Sequence, residues 1–255
     1  MKRVFLNKLV VVAFLVLAAL TSCNKDDDDK VPLLQVIIYD DDRYDVFEYD
    51  HQNRISKILK YSRSGGSYHV EEDLLIYKGN DLVKIEHKGG LYGFTEYIKN
   101  ENQIIVSLGD NDANKNLQTT IHLNSDGYPV GYEYTSVLIA HQYQDGNMTN
   151  YTETWTTTIQ GETIIHTEYK YDNNKSVFYH CKTPKWFMFY FYGILASQNN
   201  VIEAYHYSPS AEQTDYKYEY KYEFNSAGFP TKRIDTIKHD NGSESTFDTF
   251  EFIYK

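Results

Sequence analysis

The chain has 255 residues, 41% of them hydrophobic and 24% charged, a balance that excludes intrinsic disorder and leaves one folded domain, or at most two. Acids outnumber bases by 36 to 25, and three of those bases, Lys2, Arg3 and Lys8, precede residue 23, so the rest of the chain sets 22 bases against 36 acids. A net charge of about −14 argues against a nucleic-acid partner, because phosphate binding needs clustered Lys and Arg.

Lys2, Arg3 and Lys8 form a basic head before an unbroken apolar run from Leu9 to Leu20. Twelve residues suit the core of an export signal and are too few to span a bilayer. The run ends Leu20-Thr21-Ser22-Cys23, which resembles the lipobox of bacterial lipoproteins. That resemblance implies a signal peptide over residues 1–22 and lipid attachment at Cys23. The next residues, Asn24-Lys25-Asp26-Asp27-Asp28-Asp29-Lys30, carry four adjacent carboxylates that repel one another, so residues 23–33 read as the lipidated cysteine and a solvated tether. This stretch is also similar to the acidic export tag of surface-exposed lipoproteins of Bacteroidetes. It implies an outer-membrane protein, lipid-anchored and displayed at the cell surface, with the periplasmic face as the alternative. Cys181 is then the one thiol left, so no disulfide forms within the domain.

From residue 34 onward the pattern has period two, which places alternate side chains on opposite faces of a strand. Tyr216, Tyr218, Tyr220, Tyr222 and Phe224 alternate with Lys217, Glu219, Lys221 and Glu223, giving one aromatic face and one charged ladder. Tyr151, Glu153 and Trp155 alternate with threonines in the same way, as do Phe250, Phe252 and Tyr254 with their neighbours. Half-buried antiparallel strands follow. Two turns nearly duplicate each other, Leu123-Asn124-Ser125-Asp126-Gly127-Tyr128-Pro129 and Phe224-Asn225-Ser226-Ala227-Gly228-Phe229-Pro230, and weaker copies begin at Tyr49, Tyr77, Ile98 and Tyr171. Consecutive hairpins of about 20 to 28 residues predict an all-β antiparallel meander of roughly fourteen strands, curled toward a barrel so that its edges are removed. The outward Lys, Glu and Thr ladder places that barrel in water, since a membrane barrel needs an apolar outer face.

One segment breaks the alternation. Trp186 through Ala196 is apolar on every side, so residues 183–198 read as a plug buried within the curve of the sheet. Thr183-Pro184 favours a short helix and the aromatic density a strand; both remain open over 184–197. Together with the lipobox, the acidic tag and the aromatic-Asn/Asp turns, the central Tyr192-Gly193-Ile194-Leu195 segment resembles an uncharacterised lipoprotein family of Bacteroidetes described as having a porin-like fold. The resemblance implies a barrel-like meander over residues 34–255 as a single domain, and brings no catalytic residue with it.

No nucleophile elbow, paired zinc-binding histidines, Cys-x-x-Cys or phosphate loop occurs. Asp110 to Asn116 starts like a calcium loop, but Lys115 and Ile121 stand where glycine and glutamate are needed, so it reads as a solvated loop. Asp40, Asp41 and Asp42 with Asp45 have the same standing. Nine histidines are scattered singly, and His122, His166 and His206 meet only if distant strands bring them together. Asp235-Thr236-Ile237 looks like a short O-glycosylation signal. No metal and no cofactor is expected, and an enzyme is the least favoured reading, a hydrolase using two carboxylates that the sequence does not locate.

Tyrosine is the unusual residue, 25 against 13 Phe. Most are read as wall packing; a few, with Trp155 or Trp186 beside Tyr216 and Tyr218, are candidates for stacking on sugars. The expected role is non-enzymatic binding of a glycan or small ligand. The alternative is a structural partner of other envelope proteins, docking through a sheet edge.

Overall fold

The computed structural model describes residues 31–255 except 91, 111–114, 135, 158–160, 210–214 and 240–242. Residues 33–254 form one compact unit. Among the described residues sixteen strands alternate direction: β1 (Leu34–Ile38), β2 (Arg43–Tyr49), β3 (Ile55–Ser64), β4 (Ser67–Lys78), β5 (Asp81–Lys88), β6 (Phe94–Asn100), β7 (Gln103–Gly109), β8 (Lys115–Leu123), β9 (Pro129–Tyr134), β10 (Val137–Gln144), β11 (Asn147–Thr157), β12 (Gly161–Lys175), β13 (Asn199–Tyr207), β14 (Tyr216–Phe224), β15 (Pro230–His239) and β16 (Glu244–Tyr254). Each pairs with its sequence neighbours, and β1 pairs with β16, Ile37 opposite Phe252, to close the barrel. The meander expected from the sequence is therefore right in class and two strands short. The count fell short because the repeated turns mark only one end of the barrel, and the hairpins at the other end share no motif.

That marked end has a common construction. Asn124 Oδ1 accepts from the backbone N–H of Asp126 and Tyr128, both at 3.0 Å, and Asn225 Oδ1 accepts from Ala227 and Phe229 at the same distance. Gly127 and Gly228 each take φ 79°, a left-handed conformation that favours glycine. The weaker copy follows suit, with Asp50 Oδ1 accepting from Gln52 and Arg54 and Asn53 at φ 63°. Pro129 and Pro230 open the strands that follow.

The tyrosines have a second repeat that the turns conceal. At the base of five hairpins, the hydroxyl of an even-numbered strand donates to a carbonyl near the start of the preceding odd strand: Tyr49 to Leu34 (2.7 Å), Tyr77 to Ile55 (2.8 Å), Tyr143 to Pro129 (2.8 Å), Tyr171 to Met148 (2.6 Å) and Tyr254 to Pro230 (2.9 Å). At four of the five tyrosines a register shift falls beside the tyrosine in its strand's pairing with the next strand, at Glu48/Tyr49, Ile76/Tyr77, Gln142/Tyr143 and Lys170/Tyr171. Each phenol satisfies a backbone carbonyl of the strand before it, and phenylalanine would offer the ring without that donor, which is a reason for tyrosine at these five positions.

Inside the same end sits the plug. Helix α1 (Lys185–Tyr192) is followed by a 3₁₀ turn (Gly193–Ala196), which settles the helix-or-strand alternative in favour of helix. Pro184 precedes the first turn, where its missing N–H costs nothing. Trp186, Phe187, Met188 and Phe189 are 4% exposed or less; the first three join Leu34, Ile37, Ile55, Ile85, Ile104 and Ile121 of the wall in the main core, and Phe189 packs with Tyr128 and Met148 in a second cluster. Burying rings of this size contributes roughly 1.5–3 kcal/mol apiece. A barrel of this strand number otherwise leaves a water-filled interior. The helix starts beside Tyr128, at the turn end, and finishes at Tyr192, whose ring lies 5.6 Å from that of Phe47 and 5.0 Å from that of Phe178; the plug therefore occupies the turn-end half of the barrel, and Phe191 is 47% exposed.

The outer wall is charged. Lys57 pairs with Glu48 (2.5 Å), Lys88 with Glu72 (2.6 Å), Lys170 and Lys217 with Glu203 (2.6 and 2.5 Å), and Lys238 with Glu219 (2.8 Å). Exposed pairs of this kind add little stability, but each cation placed at the lipid face of a membrane barrel would cost about 2–4 kcal/mol at mid-depth. Ion pairs of this kind make the outer face a poor match for hydrocarbon. No helix among the described residues is long and apolar enough to cross a membrane.

Candidate functional site

Strand alternation that sends the charged ladder outward sends the tyrosines inward. In β14, Tyr220 and Tyr222 are half-buried against β15, and desolvation pushes both hydroxyl pKa values above the ordinary tyrosine range. Tyr216 and Tyr218 continue the same face toward the unplugged end. There they meet His206 of β13: its ring stacks on Tyr216 (centroids 4.9 Å apart, planes at 15°) and stands edge-on to Tyr218 at 5.1 Å. His206 Nδ1 lies 2.9 Å from Thr167 Oγ1, and burial lowers its pKa to about 4, so the ring is neutral and aromatic at physiological pH. Phe247, 66% exposed, lies 6.2 Å from Tyr218. Trp155 faces inward on β11, opposite Thr163, and is 41% exposed.

The opposite wall is polar. Asp73 of β4 accepts from Lys60 Nζ at 2.6 Å and from His87 Nδ1 at 2.5 Å, and His87 Nε2 lies 2.8 Å from Thr95 Oγ1. Burial pulls the Asp73 pKa up, but the bonds from His87 and Lys60 outweigh it and hold the carboxyl below its ordinary value. Asp45 accepts from the Tyr39 hydroxyl at 2.9 Å, and burial raises its pKa. On the ring side itself, on β15 beside β14, Arg233 grips Asp235 with two bonds of 2.7 and 2.9 Å while its guanidinium lies 4.1 Å from the Phe250 centroid. Asp235 faces Asp248 across the β15–β16 pairing. Of these two facing acids, Asp235 is committed to Arg233 by both carboxylate oxygens.

Of the ring candidates read from the sequence, Tyr216 and Tyr218 share one surface, Trp155 faces the same interior from β11, and Trp186 does neither. Trp186 is 4% exposed, edge-on to Tyr97 at 4.9 Å, within the plug. Cys23 lies outside the described residues, as do positions 111–114 of the loop beginning at Asp110. Asp40 binds Arg43 and the Asp42 backbone, whereas Asp45 turns inward to Tyr39, so the Asp40–Asp45 cluster is not one group. His122 is exposed on β8 beside Gln103, His166 sits near Thr152 and Tyr207, and His206 faces inward; the three do not meet. Among the described residues no three His, Cys, Asp or Glu side chains are grouped to hold a metal ion. Thr236 is 4% exposed, so the Asp235-Thr236-Ile237 motif does not present its hydroxyl. Arg233, Asp73 and His87 escaped sequence reasoning, and His206 was weighed only as a partner of other histidines; inward parity was the signal that could have placed them.

No family model and no curated protein matches the chain. Among solved structures it is similar to a porin-like protein from Bacteroides uniformis, 12% identical over 88% of this chain and 95% of that one with a TM-score of 0.48. A porin-like protein from Bacteroides vulgatus is 10% identical over 88% of this chain and 99% of that one, with a TM-score of 0.41. These likenesses assign no activity. What the residues establish is an all-β, antiparallel, closed barrel of sixteen strands with one half plugged and the other lined by rings and charges.

Proposed function

We propose that this chain is an exported protein, lipid-anchored through Cys23 at the outer membrane and displayed at the cell surface, whose barrel binds a glycan or small ligand without transforming it. The observation that carries the reading is the ring surface of His206, Tyr216 and Tyr218, with Trp155 41% exposed on the same interior face. Flat rings offer contact to the apolar faces of sugars, and the carboxylates and hydroxyls of the facing wall supply hydrogen bonds. β1 starts at the plugged end, so the unplugged half is the one remote from the point where the tether joins the barrel.

A thermal-shift screen of residues 31–255 against host, dietary and capsular glycans tests the proposal, since a ligand that binds only the folded state raises its Tm. One glycan class should raise the Tm, and Tyr218→Ala or Trp155→Ala should abolish that rise. A flat response across the panel, or a rise that survives both substitutions, overturns it. Protease shaving of intact cells tests display: protection until lysis removes it. The assembly alternative loses its simplest route, because β1–β16 pairing leaves no free edge for strand addition.

A further inference from the structure

The plugged end has a feature of its own. Where the chain leaves β12 for α1 and returns from the 3₁₀ turn, it borders a cavity of about 310 Å³ whose wall includes Tyr128, Tyr179, His180, Lys182, Lys185 and Gln198, with no Asp or Glu among its described lining residues. In a chain with an excess of acids, none occurs between Asp172 and Glu203. Lysines elsewhere pair with carboxylates, as at Lys57, Lys88 and Lys170; among the described residues no carboxylate lies within ion-pair distance of Lys175, Lys182 or Lys185.

Lys185 is nonetheless positioned. Its ammonium donates to the Tyr128 hydroxyl at 2.7 Å and lies 4.1 Å from the Tyr128 ring centroid, which leaves two N–H groups for another acceptor. Lys175 is placed in a similar way, 5.3 Å from the Tyr179 ring and 5.2 Å from that of Phe229, beside His180. We propose that this cavity is an anion site, taking a carboxylate or phosphate on a sugar-sized frame that packs against Tyr128 and Tyr179. Lys182 and Lys185 line the cavity without a counter-charge of their own, Lys175 lies 5.3 Å from the ring of lining Tyr179, and the aromatic walls suit a frame of that size. His180 reports the same field: burial, then Lys175 and Lys182, lower its pKa. The site is separate from the rings of the unplugged half and does not depend on them.

The test is calorimetric titration of residues 31–255 with sodium glucuronate, inorganic phosphate and, as the neutral control, glucose. At least one anion should bind with a Kd of about 1 mM or tighter, and glucose should not. Raising the salt from about 0.05 to 0.5 M should weaken binding, because the groups are partly solvated. Lys182→Glu, at an exposed position, should weaken it about 10-fold or more while Trp155→Ala leaves it unchanged. The imidazole signal of His180 should titrate at higher pH with the anion bound. Binding of phosphate alone points to a phosphorylated ligand, and of glucuronate alone to a carboxylated sugar; both support the site. Failure of both anions to bind below about 10 mM overturns it, as does binding unaffected by Lys182→Glu.

Discussion

His141 should make the barrel acid-sensitive well above the range where carboxylates titrate. The ring is 6% exposed on β10, its Nδ1–H donates to the Pro129 carbonyl at 3.1 Å, and its Nε2 is buried with no partner among the described residues. Burial lowers its pKa to about 4, the Pro129 bond opposing only slightly. An unfolded histidine takes up its proton near 6.5, so as the pH falls below that value the unfolded chain binds protons that the folded one refuses. The contribution is intact above 6.5 and is lost as the pH falls toward 4. Between pH 7 and pH 5 the loss is about 2 kcal/mol, which lowers the Tm by roughly 4–8 °C in a chain of this length. Urea melts of residues 31–255 and of His141→Gln, which keeps a donor but does not titrate, measure it directly. The parent should lose about 2 kcal/mol more than the variant across the interval. His206 titrates in the same direction but is present in both proteins and cancels. Equal losses, within about 0.5 kcal/mol, would refute the reasoning.

Phe189 is 3% exposed and edge-on to Tyr143 at 4.9 Å, so Phe189→Asp should abolish the folded circular-dichroism spectrum while Phe189→Leu melts only modestly lower; an Asp variant with the parent Tm removes the plug from the core. Asp235→Asn strands the Arg233 charge at 5% exposure and should cost about 3–5 kcal/mol in a urea melt, whereas the paired change Arg233→Met with Asp235→Leu should cost less; the reverse order would show that the pair is not coupled. Tyr77→Phe removes the donor to the Ile55 carbonyl and should cost about 1–3 kcal/mol, against within about 0.5 kcal/mol for Phe substituted at exposed Tyr68.

The fold was legible wherever one face of a strand is charged and the other apolar. The β14 repeat of Tyr with Lys or Glu states both its secondary structure and its orientation, and the Lys217–Glu203 and Lys238–Glu219 pairs sit on the face that parity assigns. Closure was legible only as a tendency, because pairing of Leu34 with Tyr254 is a contact between the first and last strands of the chain that no local pattern encodes. The plug was identifiable from its lack of polar spacing, while its helical state depended on Pro184 and on a surrounding wall that satisfies an all-apolar helix. Least visible was the polar wall. Asp45, Asp73 and Asp235 look like any solvated strand acid until parity turns them inward, and the partners Tyr39, His87 and Arg233 come from other strands or from the same face of one strand.

Because every pairing but one joins consecutive strands, the barrel can be assembled in order, each hairpin docking on the one before it. The exception governs the end of the process. Until Phe252 lies opposite Ile37, both β1 and the most recently formed strand present unpaired backbone, and the core around α1 has a gap in its wall. The eleven residues of β16 are therefore a latch on the whole domain, and a chain stopped at residue 243 would retain most of its hairpins and yet expose two sticky edges.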